Sequence, residues 1–68
     1  VYFVVERTVK IRLKPSTKSP VITILHSNQR VSLINSKGKW IYIEYFDYIE
    51  GLPKSGWACK KYLKRLGR

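Results

Sequence analysis

The stretch Ser36 to Phe46, SKGKWIYIEYF, constrains the fold more than any other part of this chain. A turn signal, Ser36-Lys37-Gly38, runs into seven residues dominated by aromatic and β-branched side chains, the composition of a pleated, half-buried strand. Period-two geometry then sorts the residues. Ile41, Ile43 and Tyr45 share one face, which the isoleucines mark as the core side, while Trp40, Tyr42, Glu44 and Phe46 share the other. That second face is both aromatic and wet. A second Gly-Trp pair, Gly56-Trp57, opens what reads as a short last strand, Gly56 to Cys59. Two large rings thus stand at the starts of two neighbouring strands.

The same alternation recurs along the chain. Val1 to Val5 is a short apolar run, and Val9-Lys10-Ile11-Arg12 places Val9 and Ile11 inward with Lys10 and Arg12 outward. Lys14 to Pro20 is a loop, with two prolines that fix φ and remove donors. Val21 to Leu25 is apolar or β-branched throughout, so its buried face is ambiguous and a bulge would resolve it. After a polar turn at His26 to Gln29, the run Arg30 to Ile34 points Val31 and Leu33 inward. Asp47 to Ser55 reads as a long hairpin connection punctuated by Gly51 and Pro53, and Lys60 to Leu63 as a helical turn before a basic end, residues 64–68. Five or six short strands with almost no helix predict an all-β fold, a small antiparallel barrel whose closure protects the edges of a tiny sheet.

Length bounds the rest. With 68 residues the chain makes one domain, the barrel spanning about residues 2–63, and buries only about 60% of the surface that its unfolded form exposes. Cys59 is the only cysteine, which excludes an internal disulfide. One His, one Cys and four carboxylates at unsuitable spacing predict no metal site and no cofactor. His26 sits in a polar turn without a nucleophile or carboxylate nearby and reads as an ordinary turn histidine, and Cys59 reads as a buried, inert thiol. No third group orients a Cys-His pair, so no enzyme activity is expected.

Fourteen Lys and Arg against four acids give a net charge of +10, a field that favours anionic partners. Its distribution is uneven. Glu44, Asp47 and Glu50 fall within seven residues that contain no Lys or Arg, so an acidic hairpin of −3 sits on a body of +13. Lys10, Arg12 and Lys14 near the start, and Lys60, Lys61, Lys64, Arg65 and Arg68 near the end, supply the basic surface. No run approaches the roughly 18 apolar residues that cross a bilayer. The lack of any methionine leads to the expectation of a processed mature protein or an excised domain, which leaves room for a signal or anchor upstream.

Six short motifs in order resemble the bacterial SH3 family: Val9-Lys10-Ile11-Arg12, Pro15-Ser16-Thr17, Val21 to Leu25, Val31 to Ile34, Gly38-Lys39-Trp40-Ile41-Tyr42-Ile43, and Gly56-Trp57 through Tyr62-Leu63. The resemblance covers residues 2–63. It departs from the pattern at Asn28, where the family commonly has a glycine, and at Leu13-Lys14 before Pro15, where it has a small residue and a glycine. Asn tolerates a left-handed turn, and Lys14 adds charge to a loop beside the binding groove of such barrels. The resemblance implies a non-catalytic binding module of the periplasm or cell envelope that recognises peptide or peptidoglycan. Compared with eukaryotic SH3 domains, Trp40 takes the place of the groove tryptophan and Tyr62 that of the tyrosine in the closing turn. Cys59 replaces that turn's proline and the acidic aromatic motif of the first loop is absent, which argues against recognition of a proline-rich helix.

The site expected is a groove of Trp40, Tyr42, Trp57 and Tyr62, with Glu44, Asp47 or Glu50 contacting amines of the ligand. Two alternatives stand beside it. A basic body with nine aromatics has both ingredients of a nucleic-acid-binding barrel, although the acidic hairpin interrupts a phosphate track. The barrel could instead be a protein-interaction subunit of an envelope or secretion assembly.

Overall fold

The computed structural model describes residues 2–65. Seven strands are present among them: β1 (Tyr2–Val5), β2 (Val9–Arg12), β3 (Val21–Leu25), β4 (Arg30–Lys37), β5 (Trp40–Asp47), β6 (Leu52–Cys59) and β7 (Leu63–Arg65). A single 3₁₀ turn, Lys60–Tyr62, separates β6 from β7. The strands form one antiparallel sheet in the order β3-β2-β6-β5-β4-β1-β7, the architecture of a small SH3-like barrel. Of the expected basic end, Arg68 lies outside the described residues.

The core follows from alternation. Ile41, Ile43 and Tyr45 are buried on the inner face of β5, and they pack with Val9 and Ile11 of β2, Val31 of β4 and Ala58 of β6. Leu33 and the ring of Tyr62 pack partly against the same cluster. Leu25 alone of β3 is buried. The expected bulge appears where β3 meets β2: Ile11 pairs with Thr23 but Arg12 with Val21, so Ile22 is the extra residue and, like Val21 and Ile24, it is exposed. A second bulge leaves Ile34 unpaired between Leu33 and Asn35.

Turn chemistry closes the hairpins. Lys37 pairs with Trp40 across a two-residue turn in which Gly38, at φ +61°, takes the left-handed position. Asn28 stands at φ 71°, as anticipated for a residue in a glycine's place. Its backbone N–H donates to the carbonyl of Val5 at 2.7 Å, tying this turn to β1.

Two expectations are corrected. The connection between β5 and β6 is a tight turn, residues 48–51, rather than a long loop from Asp47 to Ser55, because pairing continues from Trp40↔Cys59 to Asp47↔Leu52. Asp47 organises that turn through its Oδ1, which accepts the N–H groups of Ile49 at 2.9 Å and Glu50 at 3.1 Å, and Gly51 supplies φ +71°. Pro53 sits inside β6 at no cost to the ladder, since β2 pairs with β6 only at Arg12↔Trp57 and leaves this end of β6 with β5 as its sole neighbour. The sheet also extends past Leu63, the expected end of the barrel, into the basic end. Lys64 and Arg65 belong to β7, which pairs with β1 through Val5↔Leu63, Val4↔Lys64 and Phe3↔Arg65. Buried Leu63 anchors that strand.

Candidate functional site

Register places the outer face of the β2-β6-β5 layer. Trp40 lies opposite Cys59, Tyr42 opposite Trp57, Glu44 opposite Ser55 and Phe46 opposite Pro53, while Trp57 pairs on its other side with Arg12. The aromatics therefore form a row. At one end a groove of about 420 Å³ opens, with Trp40 and Tyr62 among its walls. Arg7, Lys10, Arg12 and Lys61 line it, together with Thr17 and Cys59, and among the described residues no carboxylate side chain lines it.

Each wall has a cause. Parity on β5 turns Trp40 away from the isoleucine face and leaves it half-buried. Tyr62 closes the 3₁₀ turn with its ring packed partly on the core, and the Lys61 ammonium stands 5.1 Å from the ring centroid, a cation–π distance. Arg12 is held in place, donating from Nη1 to the carbonyl of Ser19 at 2.8 Å. The loop that carries Thr17 is itself ordered around Ser19, whose Oγ accepts the N–H of Lys14 at 2.8 Å.

The expected aromatic quartet divides into two pairs. Tyr42 and Trp57 do not line the groove: their rings lie 5.0 Å apart at 46°, both half-buried beside it. Tyr42 shares a hydrogen bond of 2.7 Å between its hydroxyl and Ser55 Oγ, which fixes the ring at the groove's shoulder. Arg7, from the turn between β1 and β2, lines the groove although sequence reasoning passed over it. Its only signal was its place in a polar turn, Glu6-Arg7-Thr8, before an alternating strand.

The acids are placed elsewhere. Glu44 is exposed and lines a second groove of about 440 Å³ with Arg30, Ser32, Phe46 and Pro53. Asp47 and Glu50 converge on Lys54, at 3.0 Å and 3.1 Å from its Nζ. The acidic hairpin is therefore not free of cations in space, and two of its three carboxylates already hold an amine. Backbone N–H donation from Glu50, then the Lys54 ammonium, holds the Asp47 carboxyl below its ordinary value, and Lys54 is pushed up by Asp47 and Glu50. Burial pushes the Tyr45 phenol up.

The basic residues do not form one surface. Lys10, Arg12 and Lys61 meet in the groove; Lys60 and Lys39 face a more open hollow that adjoins it through Cys59 and Lys61; Lys14 stays in its loop outside both; Lys64 and Arg65 lie on β7. His26 is exposed in its turn, with its backbone N–H directed to Gln29 Oε1 at 3.4 Å. Cys59 is half-buried at the groove wall rather than fully buried, because β6 parity sets it opposite Trp40 on the outer face. Among the described residues no three His, Cys, Asp or Glu side chains gather, and no helix is long and apolar enough to cross a membrane.

The family model for the bacterial SH3 domain matches residues 7–64. The chain belongs to the bacterial SH3 domain family. No curated protein and no solved structure gives a significant match. Bacterial SH3 domains are binding domains, and membership suggests for this chain a non-catalytic module that binds protein or peptide.

Proposed function

We propose that this bacterial SH3 domain acts in the cell envelope, holding a peptide or the peptide stem of peptidoglycan in the groove between Trp40 and Tyr62. The observation that supports this reading is the meeting of those two rings, 22 residues apart in the chain, in one groove among fixed polar groups. Flat, amphipathic side chains lose little conformational entropy when they clamp a ligand, and they serve apolar and hydrogen-bonding contacts together. The Tyr42–Trp57 pair stiffens the shoulder on which Trp40 stands. Binding of purified wall fragments and of candidate peptides to the Trp40→Ala variant tests it. A folded variant is expected to lose about tenfold or more in affinity, the size of a typical central aromatic contact; unchanged affinity refutes the assignment.

Nucleic acid is the second reading, favoured by four cations beside two stacking rings. Its signature is affinity for short DNA or RNA that collapses as salt rises.

A further inference from the structure

We infer that the Trp40–Tyr62 groove selects an anionic segment, a short extended peptide bearing side-chain or terminal carboxylates. The inference rests on the groove reading above and adds the chemistry of what the groove accepts. It reverses the expectation that clustered acids would receive ligand amines.

Four cations reach the groove from two segments of the chain: Arg7, Lys10 and Arg12 from the β1–β2 turn and β2, and Lys61 from the 3₁₀ turn far along the sequence. The approach of Lys61 to the outward cations of β2, beside two rings, distinguishes this from the solvated face of a single strand. Arg12 is already oriented by Ser19, and a guanidinium so fixed keeps further N–H donors for a carboxylate, which its planar fork fits in a bidentate manner. Lys61 stands over the Tyr62 ring, and Arg12 alone of the four is half-buried, so its charge is the least screened by solvent.

The acids bracket this site. Glu6 shares an adjoining hollow with Arg7, Lys61 and Tyr62, and Glu44 stands four residues beyond Trp40 on the same face, about 13 Å along the strand. A polymer with a phosphate at every nucleotide finds further cations, among the described residues, only toward Lys39 and Lys60, across Cys59 and Lys61, and meets a carboxylate on the Glu6 and Glu44 sides. A peptide with one or two carboxylates fits between them. A short peptide needs no such track, and membership of a family that binds protein or peptide favours it over nucleic acid, while Asp47 and Glu50 are occupied by Lys54.

Chemical-shift titration of the ¹⁵N-labelled domain tests this with three probes: a capped octapeptide bearing two Glu residues, the same peptide with Gln in their place, and an oligothymidylate of equal charge. The Glu peptide is expected to shift the amides of Arg7, Lys10, Thr17 and Lys61 and the indole N–H of Trp40, with affinity falling about tenfold from low to high ionic strength. The Gln peptide should leave them unmoved at the same concentration, and the oligonucleotide should bind more weakly. Lys10 and Lys61 are exposed, so the Lys10→Gln/Lys61→Gln variant keeps its fold and is expected to lose about tenfold in affinity for the Glu peptide. Equal response to the Glu and Gln peptides, shifts centred on Lys37, Lys39 and Lys64, or tighter binding of the oligonucleotide overturns the inference. Wall fragments that bind through Trp40 without preference for free over amidated carboxylates sink it and leave the function proposed above standing. A Glu peptide that occupies the groove while wall fragments do not bind has the opposite effect.

Discussion

Replacing Gly56 with alanine tests the packing that brings β2, and with it Lys10 and Arg12, against the rest of the barrel. Gly56 is buried in β6 opposite Ile43, and a β-carbon there would meet Cγ2 of Ile11 inside contact distance, the carbonyl oxygen of Arg12 at 3.2 Å and Cδ1 of Ile22 at 3.4 Å. Ile11 is 0% exposed and cannot turn outward. Overpacking of this kind costs about 1–3 kcal/mol. The lower entropy of the unfolded alanine chain returns about 0.4–1 kcal/mol. A net loss of about 1–2 kcal/mol is therefore expected, against a total of roughly 3–10 kcal/mol for a chain of this size. In a domain of 60–100 residues that lowers Tm by about 4–8 °C per kcal/mol. Urea unfolding followed by Trp40 and Trp57 fluorescence measures it, and the midpoint should fall with the slope unchanged. The Ile11→Leu change removes the offending Cγ2 branch while keeping volume, so in the Gly56→Ala background it should restore part of the loss, Arg12 still crowding the new methyl. A Gly56→Ala variant as stable as the parent, or strict additivity of the two changes, refutes this account of β2 docking.

Asn28→Gly should be nearly neutral, whereas Asn28→Ala should cost about 1 kcal/mol by placing a plain side chain at φ 71°; equal midpoints for the two in thermal unfolding would contradict the turn assignment. Stability should hold on a plateau and fall on both sides. Asp47, lowered in the folded state from 3.8, stabilises above that value and loses its contribution as pH drops through its folded pKa, so Asp47→Asn should flatten the acid limb. On the alkaline side, Tyr45 is raised from 10.0 and Lys54 from 10.5, so both contribute below those values and lose it as pH rises through their folded pKa; Tyr45→Phe should flatten part of that limb in pH-dependent urea unfolding.

Local periodicity alone makes the barrel readable. Whether Ile41 or Trp40 faces the core depends only on parity within one strand, and the same holds for Val9 against Lys10, while the left-handed turns at Gly38 and Asn28 follow from residue type alone. Position Pro53 misled, because a proline signals a loop when its neighbours in the sheet are unknown, and β6 tolerates it only where β2 does not reach. The pairing of Lys64 and Arg65 with β1 was hidden for the same reason: a short basic segment has no pattern of its own, and β1 recruits it through backbone bonds.

The chain by itself determined an all-β fold, the face on which its aromatics stand, the strong positive charge and the resemblance that placed it among bacterial SH3 domains. Tertiary structure decided which of those charges and rings meet. Trp40 and Tyr62 reach one groove because β5 pairs with β6 and the 3₁₀ turn folds back at its end; Arg7, Lys10 and Arg12 join them because β2 docks across Gly56; and Lys54 closes on Asp47 and Glu50 because the β5–β6 turn is tight. Those are long-range pairings, set by register and bulges that no short window of residues specifies.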